Sequence, residues 1–416
     1  MIRLVIIADD FTGAMDTGVQ FVKQGVETIV TSRPDIDPYK FSGAAVLSIN
    51  TNSRHDTPET ARLKVKRIIE KLNECEVEYL YKKTDSALRG NVGSELEAVI
   101  EGMKVNQLPF IPAYPVNNRI TVEGCQYVDG LPVHLSKAGQ DLFTPVNSSY
   151  IADVIHKQSR IPVTHTSFWR NQSHKKGICV YNASSNEELF RIGQTLKKRN
   201  QISVTAGCAG FAEYLPEILE LEKSHIRTKV RRGNVLIVSG SVNERSINQV
   251  EYMCRKGIRT VTLADMQQAD WSEIQGEAER GMQEKGIFIV ESVKDIRQVD
   301  QNTERILDNR TAVLNQIAGI VKKVMHYVPV QTLFVTGGDT LQEIMDELNI
   351  DGILPHCELV PGIVFGNVSG SSLQIISKSG GFGEVDVMEE ALAKMDQLGW
   401  QSDITYRREG DKSVYL

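Results

Sequence analysis

Met1-Ile2-Arg3-Leu4-Val5-Ile6-Ile7-Ala8-Asp9-Asp10-Phe11-Thr12-Gly13-Ala14 is an apolar run that stops on two carboxylates and a glycine turn. A run apolar on both faces reads as a strand inside a parallel sheet, since a half-buried strand would alternate. After the turn, Met15, Val19 and Val22 fall on one helical face and Gly25 supplies a stop, which predicts a helix over 13–24. Strand, turn and helix make a βα unit. Asp9-Asp10 breaks the apolar run early and no small-residue cleavage site follows, so a buried first strand is expected rather than a secretory leader.

Working outward, the unit repeats. Strands are expected at 44–49, 77–81, 179–181 and 202–205, and Pro58 opens a helix through about Leu72. Leu96, Val99, Ile100 and Met103 predict another helix, with Ser94 and Glu97 in capping-box spacing. The stretch 113–175 reads as loop-rich. A charged segment near 222–233 marks the junction of two domains, 1–228 and 229–416, as a 416-residue length also suggests. The second half restarts with strands near 235–238, 258–262, 287–291, 332–336 and 372–377, and with a long helix over 304–325. A polar tail at 401–416 is expected to pack weakly. The fold class is α/β: two domains, each with a mostly parallel sheet flanked by helices.

Composition narrows the function classes. With 41% apolar and 24% charged residues and a net charge of −6 spread along the chain, nothing favours a nucleic-acid or membrane partner. The six cysteines lack any CxxC pair, which removes a zinc ribbon and a redox couple and suits reduced thiols in the cytoplasm. Gly-Lys never occurs, so there is no Walker A loop. No GxGxxG follows a predicted strand, which disfavours a nicotinamide dehydrogenase of sugar acids.

In open α/β sheets ligands bind beyond the carboxyl ends of strands, and the chemistry-bearing residues cluster there. Asp9 and Asp10 can orient a hydroxyl, take its proton or hold a cation, or one of them can simply cap the next helix. Lys83-Thr84-Asp85-Ser86-Ala87-Leu88-Arg89 offers cations, a carboxylate and hydroxyls, which suits a polyhydroxylated anion. Arg54 and Arg119 follow other strands. Alone each reads as a surface arginine; together with Lys83 and Arg89 they would form a clamp for a carboxylate.

The second half supplies glycine turns: Ser239-Gly240-Ser241, Thr336-Gly337-Gly338-Asp339, Pro361-Gly362 and Lys378-Ser379-Gly380-Gly381-Phe382-Gly383. Unpaired N–H groups at such helix starts favour phosphate, and Lys378 could add charge. Thr340 and Glu343 stand in capping-box spacing.

These pieces, in this order and with Gly207-Cys208-Ala209-Gly210, resemble the four-carbon acid sugar kinase family. Asp16-Thr17-Gly18-Val19-Gln20-Phe21 and Lys83-Thr84-Asp85-Ser86 resemble its D-threonate kinases more than its 3-oxo-tetronate kinases. The resemblance implies an N-terminal domain that holds the sugar acid through Asp10, Arg54, Lys83, Thr84, Asp85, Ser86, Arg89 and Arg119. It implies a C-terminal domain that holds ATP with Mg²⁺ through Ser241, Gly337, Gly338, Asp339, Gly362, Gly380, Gly381, Phe382 and Gly383, and an active site in the cleft between the domains. Asp9 or Asp10, ahead of Asp85, would handle the proton of the terminal hydroxyl; the metal ligands stay open. The expected reaction is D-threonate to 4-phospho-D-threonate, with D-erythronate, a 3-oxo-tetronate, or a non-catalytic sugar-acid sensor as alternatives.

Overall fold

The computed structural model describes residues 1–33, 43–75, 77–141, 144–168, 176–224, 230–241, 243–263, 271–293 and 303–400. The polar tail expected at 401–416 lies outside them. The chain divides into two compact units, Met1–Ser224 and His225–Leu416.

In the first unit the strands are β1 (Leu4–Ala8), β2 (Thr28–Thr31), β3 (Val46–Asn50), β4 (Tyr79–Lys83), β5 (Gln107–Ile111), β6 (Arg119–Val122), β7 (Cys125–Val128), β8 (Leu131–Pro132), β9 (Val163–Thr166), β10 (Gly177–Tyr181) and β11 (Val204–Gly207). Eight of them form a parallel sheet in the order β2-β3-β1-β4-β11-β5-β10-β9. The chain passes from β1 to the edge strand β2, returns to β3 and then crosses over β1 to β4, so β3 and β4 flank β1. Ala8 is in register with Asn50 on one side and Lys83 on the other. The loops after β1, β3 and β4 therefore emerge side by side, at the point where this class of sheet binds ligands. The stretch read as loop-rich contains a small antiparallel sheet, β6-β7-β8, whose short strands alternate too weakly to be seen in sequence.

The helices of this unit are α1 (Phe11–Val22), α2 (Pro58–Leu72), α3 (Val92–Gly102), α4 (Ile151–His156), α5 (Asn186–Lys198), α6 (Ala209–Ala212) and α7 (Leu215–Ile218). For α2, Thr57 caps the first turn, Pro58 opens it, and Ala61, Val65, Ile68, Ile69 and Leu72 form the buried face. The Ser94–Glu97 capping box does not form. Asn91 stands at the N-cap, and Ser94, already inside α3, donates its hydroxyl to the Asn91 carbonyl. Leu4, Ile6, Phe21, Val46, Tyr81 and Phe211 pack in one core with α5 residues Leu189 and Ile192.

The second unit holds β12 (Val235–Ser239), β13 (Arg259–Thr262), β14 (Ile287–Glu291), β15 (Thr332–Thr336), β16 (Ile353–Val360), β17 (Ile363–Val368) and β18 (Gln374–Lys378), with α8 (Glu244–Arg255), α9 (Trp271–Lys285), α10 (Thr303–Tyr327), α11 (Gly338–Glu347) and α12 (Val387–Trp400). Its strand order is β13-β14-β12-β15-β18-β17-β16, parallel through β18 and antiparallel for the last two. Ser239, Thr336 and Lys378 stand in register at the ends of three neighbouring strands. Thr340 is not a cap: Gly337 stands at the N-cap of α11, and its φ of 105° puts its backbone where a side chain would be strained.

Candidate functional site

In the first unit the aspartates and arginines meet, in pairs the sequence did not specify. Asp10 is the N-cap of α1, and its Oδ1 accepts from the Gly13 N–H at 2.9 Å. A side chain on Gly13 would collide with that carboxylate and stand 2.8 Å from Lys83 Nζ, so glycine keeps the corner open. Arg54, from the loop after β3, donates to both carboxylates: Nε and Nη2 to Asp9 at 2.7 and 3.0 Å, Nη1 and Nη2 to Asp10 at 2.7 and 2.8 Å. Asp85 lies 3.8 Å from Arg54 Nη2. Arg89 closes on Asp85 with two bonds of 2.9 Å and reaches Asp141 at 3.3 Å.

The four cations of the expected clamp are therefore not equally available. Arg54 and Arg89 are already engaged by carboxylates, as charge-assisted pairing in a dry site favours. Lys83 differs. It is buried, and among the described residues its ammonium has no hydrogen-bond or ion-pair partner. Arg119 donates one bond, from Nη1 to the Asn117 carbonyl, and its Nε is buried without a partner. Lys83 and Arg119 both act on the buried Cys208 thiol, in the loop after β11. Thr84 is held by the Gly207 carbonyl, and the Ser86 carbonyl accepts from Gln126 Nε2 at 2.8 Å, which ties the small sheet to this loop.

Burial pushes all three aspartates up, and their neighbours separate them. For Asp9, Arg54, Lys82 and Lys83 win and hold the carboxyl below its ordinary value. Asp10 is repelled by Asp9 and Asp85 and ends above it. Arg89 and Arg54 hold Asp85 well below. Asp10 is also the more exposed partner of Arg54: 17% of its side chain is accessible, against 3% for Asp9.

Beneath this cluster lie two residues that sequence reading missed. Lys82 and Glu95 form an ion pair of 2.8 Å, both fully buried. Neither carries a signal in sequence, since a lysine at a strand end and an acidic residue in the first turn of a helix are each ordinary.

In the second unit the glycine turns converge. A Cβ on Gly380 would strike Ser241 Oγ, and one on Gly337 would lie 3.9 Å from the Ser241 Cβ. Phe382 packs on Gly362, where any side chain would hit the ring. Gly381 faces open space, its nearest neighbour being Asn243 Nδ2 at 3.9 Å from a built Cβ. Asp339 lies in the first turn of α11, and the hydroxyl of Thr336 just before it is buried without a partner. Three side chains that the sequence did not flag hold the 380–384 backbone. Ser246 donates to the Gly380 carbonyl at 2.7 Å, Gln249 Nε2 to the carbonyls of Phe382, Gly383 and Glu384, and Arg245 to Gly381 at 3.4 Å. They lie on α8, where polar residues at helical spacing read as a solvent face.

Lys378 is also changed from its expected role. Its side chain is fully buried and its ammonium donates to the Ser379 and Gly380 carbonyls at 2.9 and 3.4 Å, which shapes the loop from below. Burial, with Arg245 nearby, pushes its pKa down to about 7. His356 is buried against Phe365. Val242 lies outside the described residues. All six cysteines are free thiols. No helix among the described residues is long and apolar enough to cross a membrane.

Residues 4–215 match the model of a sugar-binding N-terminal domain, and residues 236–388 that of a nucleotide-binding C-terminal domain. The chain is 28% identical to a D-threonate kinase of Salmonella typhimurium, over 95% of this chain and 99% of that protein. It is 26% identical to a D-erythronate kinase of Heliobacterium modesticaldum, over 93% and 95%. A crystal structure of a Haemophilus influenzae protein shares the fold, with a TM-score of 0.71 at 20% identity over 94% of this chain and 99% of that one.

Proposed function

We propose, from the premise that this chain belongs to the four-carbon acid sugar kinase family and is a sugar-acid kinase, that it phosphorylates the terminal hydroxyl of D-threonate to give 4-phospho-D-threonate. The observation that carries the reading is the Asp9–Asp10 pair fixed on Arg54 beside the unpartnered Lys83 ammonium.

Phosphoryl transfer needs positioning and charge neutralisation more than covalent help. Asp10 takes or orients the hydroxyl proton, because a base works best with a pKa raised toward the working pH and some access to substrate. Asp9 and Asp85 are held ionised by their arginines and serve as weaker bases. Lys83, with Arg119, meets the substrate carboxylate; Thr84, Ser86 and the Asp85–Arg89 pair line the polyol.

In the second unit the open backbone at Gly381 and the N–H groups of Gly338 and Asp339 at the start of α11 fit a triphosphate, with Ser241, Gly337, Gly362, Gly380, Phe382 and Gly383 shaping the cradle. Asp339, in the first turn of α11, carries a hard-oxygen donor of the kind Mg²⁺ takes, and would add to the phosphate oxygens and water that bind the ion. Mg²⁺ supplies neutralisation of triphosphate charge. A cytoplasmic setting supplies ATP and keeps the thiols reduced.

The test is ADP release with D-threonate, D-erythronate, a 3-oxo-tetronate and the neutral tetritols. D-threonate should give the highest kcat/KM. A higher value for another tetronate transfers the assignment to it. Binding of a tetronate without ADP release would leave a sensor, and no response to any tetronate would end the reading.

A further inference from the structure

We propose that the buried Lys82–Glu95 pair is a positioning device that cross-braces the three loops carrying the substrate-side residues. The inference rests on the kinase reading and adds two residues to its machinery.

The contacts run through every loop. Lys82 is in register with Ile7, and its ammonium donates to the Ile7 carbonyl at 3.1 Å and the Lys83 carbonyl at 2.8 Å. It thereby ties the end of β1 to the end of β4, two residues before Asp9 and at Lys83 itself. Its third partner is Glu95 Oε2 on α3, at 2.8 Å. The other Glu95 oxygen accepts from the Ser53 hydroxyl. Ser53 sits in the loop after β3, where its N–H donates to the Asp9 carbonyl at 2.9 Å and its hydroxyl lies 2.6 Å from that of Thr51. Thr51 returns to β1 through the Ala8 carbonyl at 2.8 Å, and Arg54 follows directly with its N–H on the Asp9 carbonyl at 3.2 Å. Asn91, at the head of α3, closes the frame by donating to the Ser53 carbonyl at 2.8 Å.

A stability role alone would not call for charges here. Replacing a buried ion pair by apolar residues of similar size is often neutral or stabilising. What apolar residues cannot supply is an ammonium that saturates carbonyls of two strands while its counterion fixes a third loop. The pair also sets charge. The carboxylates Asp9, Asp10, Asp85, Asp141 and Glu95 are packed with Arg54, Lys82, Lys83 and Arg89, so removal of the Glu95 charge makes the surroundings of the aspartates more positive.

The experiment uses the full-length enzyme with its best tetronate. Glu95→Gln keeps shape and most hydrogen bonds and removes only charge. It should lower kcat about tenfold or more, the scale on which partners of site residues act, leave KM for Mg-ATP unchanged, and move the acid limb of the kcat/KM profile to lower pH. Lys82→Met/Glu95→Leu restores neutrality with apolar bulk. It should fold, shown by an unchanged circular dichroism spectrum and cooperative melting, and remain slow. Wild-type kcat and an unmoved acid limb in either variant would overturn the proposal. Asp10→Asn run alongside separates the failures: if it keeps turnover, the site reading falls, whereas an inactive Asp10→Asn beside a fully active Glu95→Gln sinks only the inference about the pair.

Discussion

Arg54 and Asp10 are joined by two hydrogen bonds, Nη1 to Oδ2 at 2.7 Å and Nη2 to Oδ1 at 2.8 Å, while the same Oδ1 caps α1 through the Gly13 N–H. One carboxylate thus serves a helix start and an arginine together. That makes Arg54 a holder of Asp9 and Asp10, and under the proposed function it leaves recognition of the substrate acid to Lys83 and Arg119. The consequences can be measured one at a time.

Asp10→Asn keeps the cap, since asparagine caps helices as well as aspartate does, and removes the base. Turnover should fall by about 10²-fold or more while Mg-ATP affinity measured by calorimetry stays the same. Near-normal turnover would take Asp10 out of the mechanism.

Lys83 and Arg54 should fail differently. An ion-paired hydrogen bond is worth roughly 1.5–3 kcal/mol, so the wild type should favour its tetronate over the matching tetritol by about 10- to 150-fold in kcat/KM. Lys83→Ala should erase most of that preference. Arg54→Ala leaves two buried carboxylates without their cation and should cost about 3–5 kcal/mol of stability in urea unfolding, besides activity. Equal use of acid and tetritol by the wild type would dissolve the carboxylate site.

Two adjacent glycines in the second unit give a controlled comparison. Gly381 has open space around it, so Gly381→Val should fold normally and weaken Mg-ATP binding by crowding the approach of phosphate to the backbone. Gly380→Ala should damage the loop itself, because its methyl meets Ser241 Oγ. Unchanged Mg-ATP affinity in a folded Gly381→Val protein would reduce the loop to a turn.

Lys378, pushed down to about 7 by burial, gives a signed pH dependence. Between that value and the ordinary lysine range the unfolded chain holds the proton and the folded chain does not, so this group makes stability rise with pH. Below about pH 7 both states are protonated and its contribution is flat. Relative to Lys378→Met, the wild type should gain up to about 1.4 kcal/mol per pH unit from pH 7.5 to 9 in urea unfolding. Parallel curves for the two proteins would mean that the ammonium stays charged in the fold.

What the sequence determined by itself was the βα grammar. Apolar runs ending in Asp9-Asp10, Lys83-Thr84-Asp85 and Thr336-Gly337-Gly338 located strand ends and hence the loops at which sheets of this class bind ligands, because burial on both faces and helix starts leave local marks. Pro58 and Gly25 marked boundaries for the same reason. Tertiary structure alone decided which charges are spent and which are free. Arg54 and Arg89 look like Lys83 and Arg119 in sequence, yet Arg54 is neutralised by Asp9 and Asp10, which only the pairing of β1 with β3 brings within reach, and Arg89 by Asp85 of its own loop. The Lys82–Glu95 pair was silent for the same cause: its partners lie 13 positions apart and on different elements. A charge's meaning depends on distance and dielectric, and a linear pattern records neither.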